Sequence, residues 1–274
     1  MNWSIIWKIA RKDWKEVLQN RTAMTSSLVL PIIFAVFLPL LIIYLPGMLS
    51  APGMNNSSAQ IQALIAVMPA AVRDQISGLS VNQAMVVLIL GFFFAPMFLI
   101  LPLMVASILG ADSIVGEKER KTLEALLYTP ATDRELYLAK LFSAIAPAVV
   151  LAWGSFIVYT LVINLAGTKL MGRVWFPLPH WWPLIFWVAP AVATLGMSVI
   201  VLISSRVSTF MAAQQTSGLL VLPLALLVIA QATGVIYLSV GLVVALGVVI
   251  WSLDAVLIWI GVKQFSRSAL MARI

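Results

Sequence analysis

Ala84-MVVLILGFFFAPMFLILPLMVASIL-Gly110 runs directly into Ala111-DSIVGEKERKTLEALLYTPATDREL-Tyr137. The first stretch carries no charge, and about 20 apolar residues in a helix cross a hydrocarbon core about 30 Å thick. The second holds six of the ten acidic residues of the chain, between Asp112 and Glu135. A membrane span followed at once by a charged projection is the unit from which the rest of the fold is read.

Further spans lie on either side. Leu28–Pro46 precedes this unit, and Leu141–Ala166 and Pro183–Ile203 follow it. From Arg206 to Asp254 there is no charge, more than one span needs, and Gln231-Ala-Thr-Gly234 offers a turn. That interval divides into Thr209–Ala232 and Ser239–Val262, six spans in all. Prolines at 31, 39, 96, 102, 147, 190 and 223 fall inside these runs. In a lipid-embedded bundle they kink helices without ending them, because neighbours satisfy the freed backbone groups.

Composition agrees. Of 274 residues, 62% are hydrophobic and 10% charged, and mean hydropathy is +1.05. Soluble domains are typically about 45–50% apolar and about 25% charged, so a soluble enzyme, a disordered chain and a nucleic-acid binder are excluded. With no cysteine there is no disulfide, thiol nucleophile or thiolate metal site, and the single histidine, His180, leaves no histidine pair for a metal.

An even number of spans puts both termini on one side. Fourteen of the 17 Lys and Arg residues fall on that side, against Arg73, Lys169 and Arg173 on the other. Cytoplasmic loops carry the Lys/Arg excess, so both ends are expected in the cytoplasm. Trp175, Trp181, Trp182 and Trp187 then form an outer aromatic belt. The outer loop from Gly47 to Asn82 contains Ile61, Leu64, Ile65 and Met68, spaced for a short amphipathic helix.

Residues 1–25 are not a cleavable signal, because the first apolar run lies behind a charged segment and is too long for a signal core. Trp3, Ile6, Trp7, Ala10, Trp14, Val17 and Leu18 share an arc of about 120° on a helix. Lys8, Arg11, Lys12, Lys15 and Glu16 lie outside it, although Ile5 and Ile9 interrupt the polar face. A Trp-rich stripe flanked by basic residues suits a helix lying in the membrane interface. The fold expected is therefore all-α: an interfacial helix over 1–25, a six-helix transmembrane domain over 26–265 with a cytoplasmic projection at 111–135, and a tail over 266–274.

Within the projection, Glu117/Lys121 and Arg120/Glu124 are spaced i,i+4, which suits a helix continuing out of the second span. Leu123, Leu126 and Leu127 make an apolar stripe that Pro130 ends, and Thr132-x-x-Glu135 is a capping box for the third span. The segment reads either as a solvated hairpin or as a docking knob. An apolar stripe at an exposed tip needs lipid or a partner, which favours docking.

Gly116-EKERKTLEALLYT-Pro130 and Arg134-ELYLA-Lys140 resemble the signature of the type-two ABC exporter permeases, GEKERGTLE-x-LL-x-x-P followed by a Gly-Lys pair. Here Lys121 replaces the usual Gly, and Ala139 replaces the Gly before Lys140. The chain is similar to that family also in its N-terminal elbow helix, six spans, sizeable first outer loop and the Ser/Ala/Gln-rich loop at 204–215. The resemblance implies that the projection is a coupling helix seated in a separate ABC ATPase subunit. Glu117 and Glu119 would be acidic contacts, Arg120 their ion-pair partner, and Leu123, Leu126 and Leu127 the apolar anchor. Trp7, Arg11 and Trp14 of the elbow helix would add a second contact.

The chain has no G-x-x-x-x-G-K-[ST] phosphate loop, so no cofactor is expected in it and ATP-Mg would be bound by the partner. Two permeases, a homodimer by default, with two ATPases is the arrangement implied, in a prokaryotic inner membrane. A nearly uncharged interior suits a hydrophobic or amphipathic cargo such as a drug or lipid. Sodium or cation export, and a non-transporting anchor for an ATPase, are the alternatives. An intramembrane enzyme lacks the constellation it would need.

Asp254 is the only ionisable residue well inside a span, nine positions before Lys263. It reads either as a contact on the translocation path or as a carboxyl paired within the helix packing with serine, glutamine or Arg206. Because the chain lacks native cysteines, topology is directly testable. Asn55→Cys and Lys121→Cys should react with a membrane-impermeant maleimide from opposite faces of oriented vesicles, Lys121→Cys from the cytoplasmic one.

Overall fold

The computed structural model describes residues 2–19, 21–49, 70–122, 131–204, 207, 209–233 and 236–264. Among these there is no strand. An N-terminal helix α1, Trp3–Gln19, precedes six helices long and apolar enough to cross a membrane: Ser27–Tyr44, Val81–Glu119, Asp133–Met171, Trp181–Ile203, Phe210–Gln231 and Val240–Lys263. These are the six expected spans. The proposed outer amphipathic helix at Ile61–Met68 and the tail over 266–274 lie outside the described residues.

The second and third spans overrun the membrane. Each has 39 residues, about 58 Å of helix at 1.5 Å per residue, against a core of about 30 Å. Helix Asp133–Met171 returns alongside the end of helix Val81–Glu119, with Lys140 2.8 Å from Glu117. The return begins as its sequence suggests. The Thr132 side chain accepts from Glu135 N–H at 3.3 Å, and Glu135 accepts from Thr132 N–H at 3.0 Å, a reciprocal cap.

Prolines shape the bundle through the hydrogen bonds they remove. Pro96 has no N–H for the carbonyl of Phe92 four residues back, and the backbone widens into a π-helical stretch over Val87–Phe93. Gln231 Nε2 of the fifth span donates to Phe92 O at 2.9 Å instead. The neighbouring Gly91 O takes Trp181 Nε1 at 2.7 Å and pairs with His180 Nε2 at 3.0 Å, while Tyr159 donates to Leu90 O at 2.7 Å. Three consecutive carbonyls of the second span are thus held by side chains from the third and fifth spans and the start of the fourth. Pro147 acts in the same way on Ser143, whose carbonyl accepts Trp14 Nε1 of α1 at 2.9 Å.

These bonds correct the reading of the outer belt. Trp182 and Trp187 are exposed, but Trp181 and His180 are buried. Trp181 stands among Phe98, Phe156, Tyr159 and Phe176, with ring centroids 5.0–5.7 Å apart from its own. The indole N–H has a carbonyl to satisfy inside the bundle, so the ring turns inward. Phe92 and Phe94 also face the core.

Helix α1 carries three arcs, not two. Ile6, Ile9, Ala10 and Asp13 are buried against the bundle, whereas Trp3, Trp7 and Leu18 are exposed. At 100° per residue the buried arc is offset by about 100° from the Trp arc. Ile9, which interrupts the polar face in the sequence, belongs to this second apolar arc. One face seats the helix on the third span and the other is left exposed. Trp7, Trp14 and Phe142 of the third span cluster at the border, with centroids 5.3–6.2 Å apart.

Replacing Gln231 with Leu should lower thermal stability in detergent by about 1 kcal/mol, the scale of interhelical hydrogen bonds in membranes. Adding Pro96→Ala, which restores an N–H to Phe92 O, should recover most of the loss.

Candidate functional site: a buried ion-pair node between the second and third spans

At the base of the projection three elements meet: α1, the end of the second span and the start of the third. Each brings charge. Lys140 is 1% exposed, Glu117 2% and Asp13 4%. Lys140 Nζ lies 2.8 Å from Glu117 Oε2 and 3.1 Å from Asp13 Oδ2. Ser113 donates to the same Asp13 oxygen at 2.9 Å. Lys12, on the rim, reaches Glu117 Oε1 at 3.2 Å and Glu16 at 3.1 Å. Burial works to lower the Lys12 pKa, but Glu117 and Glu16 outweigh it and hold the ammonium above its usual value.

The carboxylates of Asp13, Glu16 and Glu117 converge within 4.8 Å, a spacing open to a metal ion. Lys12 and Lys140 stand among them and supply the countercharge. The arrangement is a salt-bridge node that joins three helices through one ammonium. Around it, Ile6, Ile9, Ile114, Leu136, Tyr137 and Ala139 form a buried apolar shell, which excludes water and strengthens each pair.

The sequence-predicted residues divide around this node. Glu117 is inside it, paired with Lys140 and Lys12; Arg120 pairs instead with Asp112 at 2.9 Å. Gly116 lies beneath that pair, where a Cβ would stand 2.9 Å from Asp112 Oδ1. Glu119 accepts the Phe210 N–H at 2.9 Å, anchoring the N-terminus of the fifth span with a negative charge where the helix dipole favours one. Trp14 reaches the third span, Trp7 flanks it, and Arg11 is exposed. Leu123, Leu126 and Leu127 lie outside the described residues, as does Arg206.

The helix does not continue as the Glu117/Lys121 spacing suggests. It ends at Glu119, and Lys121 turns the chain with φ +58°, the left-handed region that favours glycine. Thr122 N–H closes the turn on Glu117 O at 2.9 Å. The family pattern has Gly where this chain has Lys121, and the backbone supplies the reason.

Asp13 and Lys140 were missing from the sequence-derived site. Asp13 falls on the helical face of Ile6, Ile9 and Ala10, and a carboxylate amid an apolar arc is the signal that marks it. Lys140 is marked in the sequence only as the Lys of the Gly-Lys pair in the family signature; nothing local points to Asp13 or Glu117 as its partners.

The sequence model of the family described as ABC-2 family transporter protein matches residues 7–260. The chain belongs to the ABC-2 transporter family. No curated protein gives a significant match. As an ABC-2 transporter protein with six candidate spans, it is a multi-pass membrane transport subunit, and such permeases work with an ABC ATPase partner. The node lies at the base of the segment that carries the family signature.

Two outcomes follow for this ABC-2 protein. Lys121→Gly should raise stability by about 1 kcal/mol, the scale of the left-handed penalty for a side chain, measured by thermal unfolding in detergent. Lys140→Met should lower it by about 3–5 kcal/mol, because buried Asp13 loses its ammonium and Glu117 keeps only Lys12 on the rim.

Proposed function

We propose that this protein is the permease subunit of an ATP-driven exporter, and that the projection of the second and third spans is its coupling element. The observation that carries this reading is the Lys140 node. A push on the tip of the projection reaches α1, the second span and the third span together, because Lys140 ties all three. Glu119 extends the connection to the fifth span. A rigid base beneath a projecting tip is what a lever needs to move helices rather than bend a loop.

In this reading Leu123, Leu126 and Leu127 anchor the tip in the ATPase, and Glu119 and Arg120 border the contact. Glu117 acts from inside, holding the base together. Helix α1 lies in the inner leaflet by Trp3, Trp7 and Leu18, with Arg11 on its cytoplasmic side. The charge asymmetry supports cytoplasmic termini. ATP-Mg sits in the partner, two ATPases serve a homodimer of this chain, and the assembly resides in a prokaryotic inner membrane. The cargo is hydrophobic or amphipathic, drug-like or lipid-like, since the six spans offer apolar surface and almost no charge.

The test is reconstitution with the ATPase in proteoliposomes. Leu126→Asp should abolish co-purification of the ATPase. Lys140→Gln should leave co-purification intact but reduce cargo-stimulated ATP hydrolysis at least tenfold. Retained stimulation in both variants would refute the coupling assignment.

A further inference from the structure

Asp254 plays no part in the node. It lies nine residues before Lys263, about 13–14 Å along the helix, near mid-depth of the sixth span. It is 0% exposed, and among the described residues neither carboxylate oxygen has a hydrogen-bond partner. No described serine or glutamine side chain pairs with it, and Arg206, the other partner the sequence suggests, lies outside the described residues. Because the burial is complete within one protomer, lipid and a second copy of the chain cannot supply the missing partner either.

The neighbours of Asp254 follow from the packing of the sixth span on the fourth. Trp187 fills the space beside Gly247, and Trp251 Nε1 donates to Trp187 O at 3.2 Å. Both helices then run in the same direction, so Asp254 comes level with Ala191 and Thr194, with Ser198 about one turn deeper. Ser198 Oγ is buried and also without a partner. The fourth span, Trp181–Ile203, has no titratable side chain. On the third span Tyr137 stands over Gly261, seven residues beyond Asp254. Tyr159 is committed to Leu90 O and Lys140 to Asp13 and Glu117. Among the described residues no cation from the packed helices pairs with this carboxyl.

An uncompensated carboxylate in such a place is prohibitively expensive, so something small must neutralise it. A metal ion needs a shell of oxygens. Here the sixth span is an unbroken helix over Val240–Gln264 and the fourth over Ala189–Ile203, so their carbonyls at this level are spent on helix bonds. Discontinuous helices are what bring carbonyls to intramembrane cation sites, and none interrupts the bundle here. Among the described residues of these two spans, the buried side-chain oxygens that the register puts near the level of Asp254 are those of Thr194 and Ser198, and Thr194 Oγ1 already donates to Pro190 O at 2.8 Å. That set is too small for a dehydrated metal ion but sufficient for a carboxylic acid.

We propose that Asp254 is an intramembrane proton-binding site. The carboxyl holds its proton while the fourth and sixth spans are packed together, and releases it when they part and admit water. Proton release and separation of these spans are therefore linked, each favouring the other. A sodium ion is excluded from the site by its lack of ligands, which sets this inference against the cation-export alternative. It does not depend on ATPase coupling.

Infrared spectroscopy of the purified full-length protein in lipid, without any ATPase, tests it. At neutral pH the wild type should show the carbonyl stretch of a protonated carboxylic acid, shifted in heavy water and unchanged by added sodium. Asp254→Asn should remove that band; Asp254→Glu, a second variant in case Asn does not fold, should move it. Absence of the band in the folded wild type, its loss on adding sodium, or its persistence in Asp254→Asn would overturn the proposal. Each result leaves the ATPase co-purification test unaffected, so the two readings fail separately.

Discussion

One buried ammonium organises the end of this protein where α1 meets the second and third spans. Lys140 has two carboxylates within 3.1 Å, one from α1 and one from the end of the second span, and is itself part of the third. Burying three charged groups costs several kcal/mol per ion, so the pairing is no evidence of net stability in itself. Its consequence is geometric. None of the three helices can shift without leaving a charge unpaired in an apolar shell, so the base of the projection moves as one piece or not at all. An apolar contact alone would permit sliding; this one does not.

The same constraint operates in the spans in neutral form. Each proline that removes a backbone donor leaves a carbonyl to be satisfied, and in lipid only another part of the protein can satisfy it. Gln231 and Trp14 do so for Phe92 and Ser143. At these two prolines the partner comes from another helix: the fifth span at Pro96 and α1 at Pro147. Trp181, Tyr159 and His180 complete the set around the widened stretch Val87–Phe93, a local departure from α-helical pairing of the sort that recurs at functional sites. Asp254 differs in kind: both oxygens of its carboxyl lack a hydrogen-bond partner among the described residues.

Much of this was legible in the residues. Six apolar runs, the charged interval after the second and the Thr132/Glu135 cap all appear in the structure where the pattern puts them, because span length and capping are local properties. The pairings of charge were not legible. Arg120 is spaced for Glu124 but bonds Asp112, and Glu117 is spaced for Lys121 but bonds Lys140 and Lys12. Helical spacing assumes the helix continues, and the left-handed turn at Lys121 ends it.

By itself the sequence determined that the chain lives in a membrane, how many spans it has, which side of the bundle its charges favour and where its charged interval falls. Each of these depends on hydropathy and charge summed along the chain, which need no knowledge of neighbours. Only the tertiary structure decided that α1 has two apolar faces, that Trp181 and His180 turn inward, that Asp13 and Lys140 belong with Glu117, and that Asp254 has no partner among the described residues. Those outcomes depend on which distant segment brings a donor, an acceptor or a countercharge within about 3 Å, a distance over which hydrogen bonds and ion pairs act and on which spacing along one helix is silent.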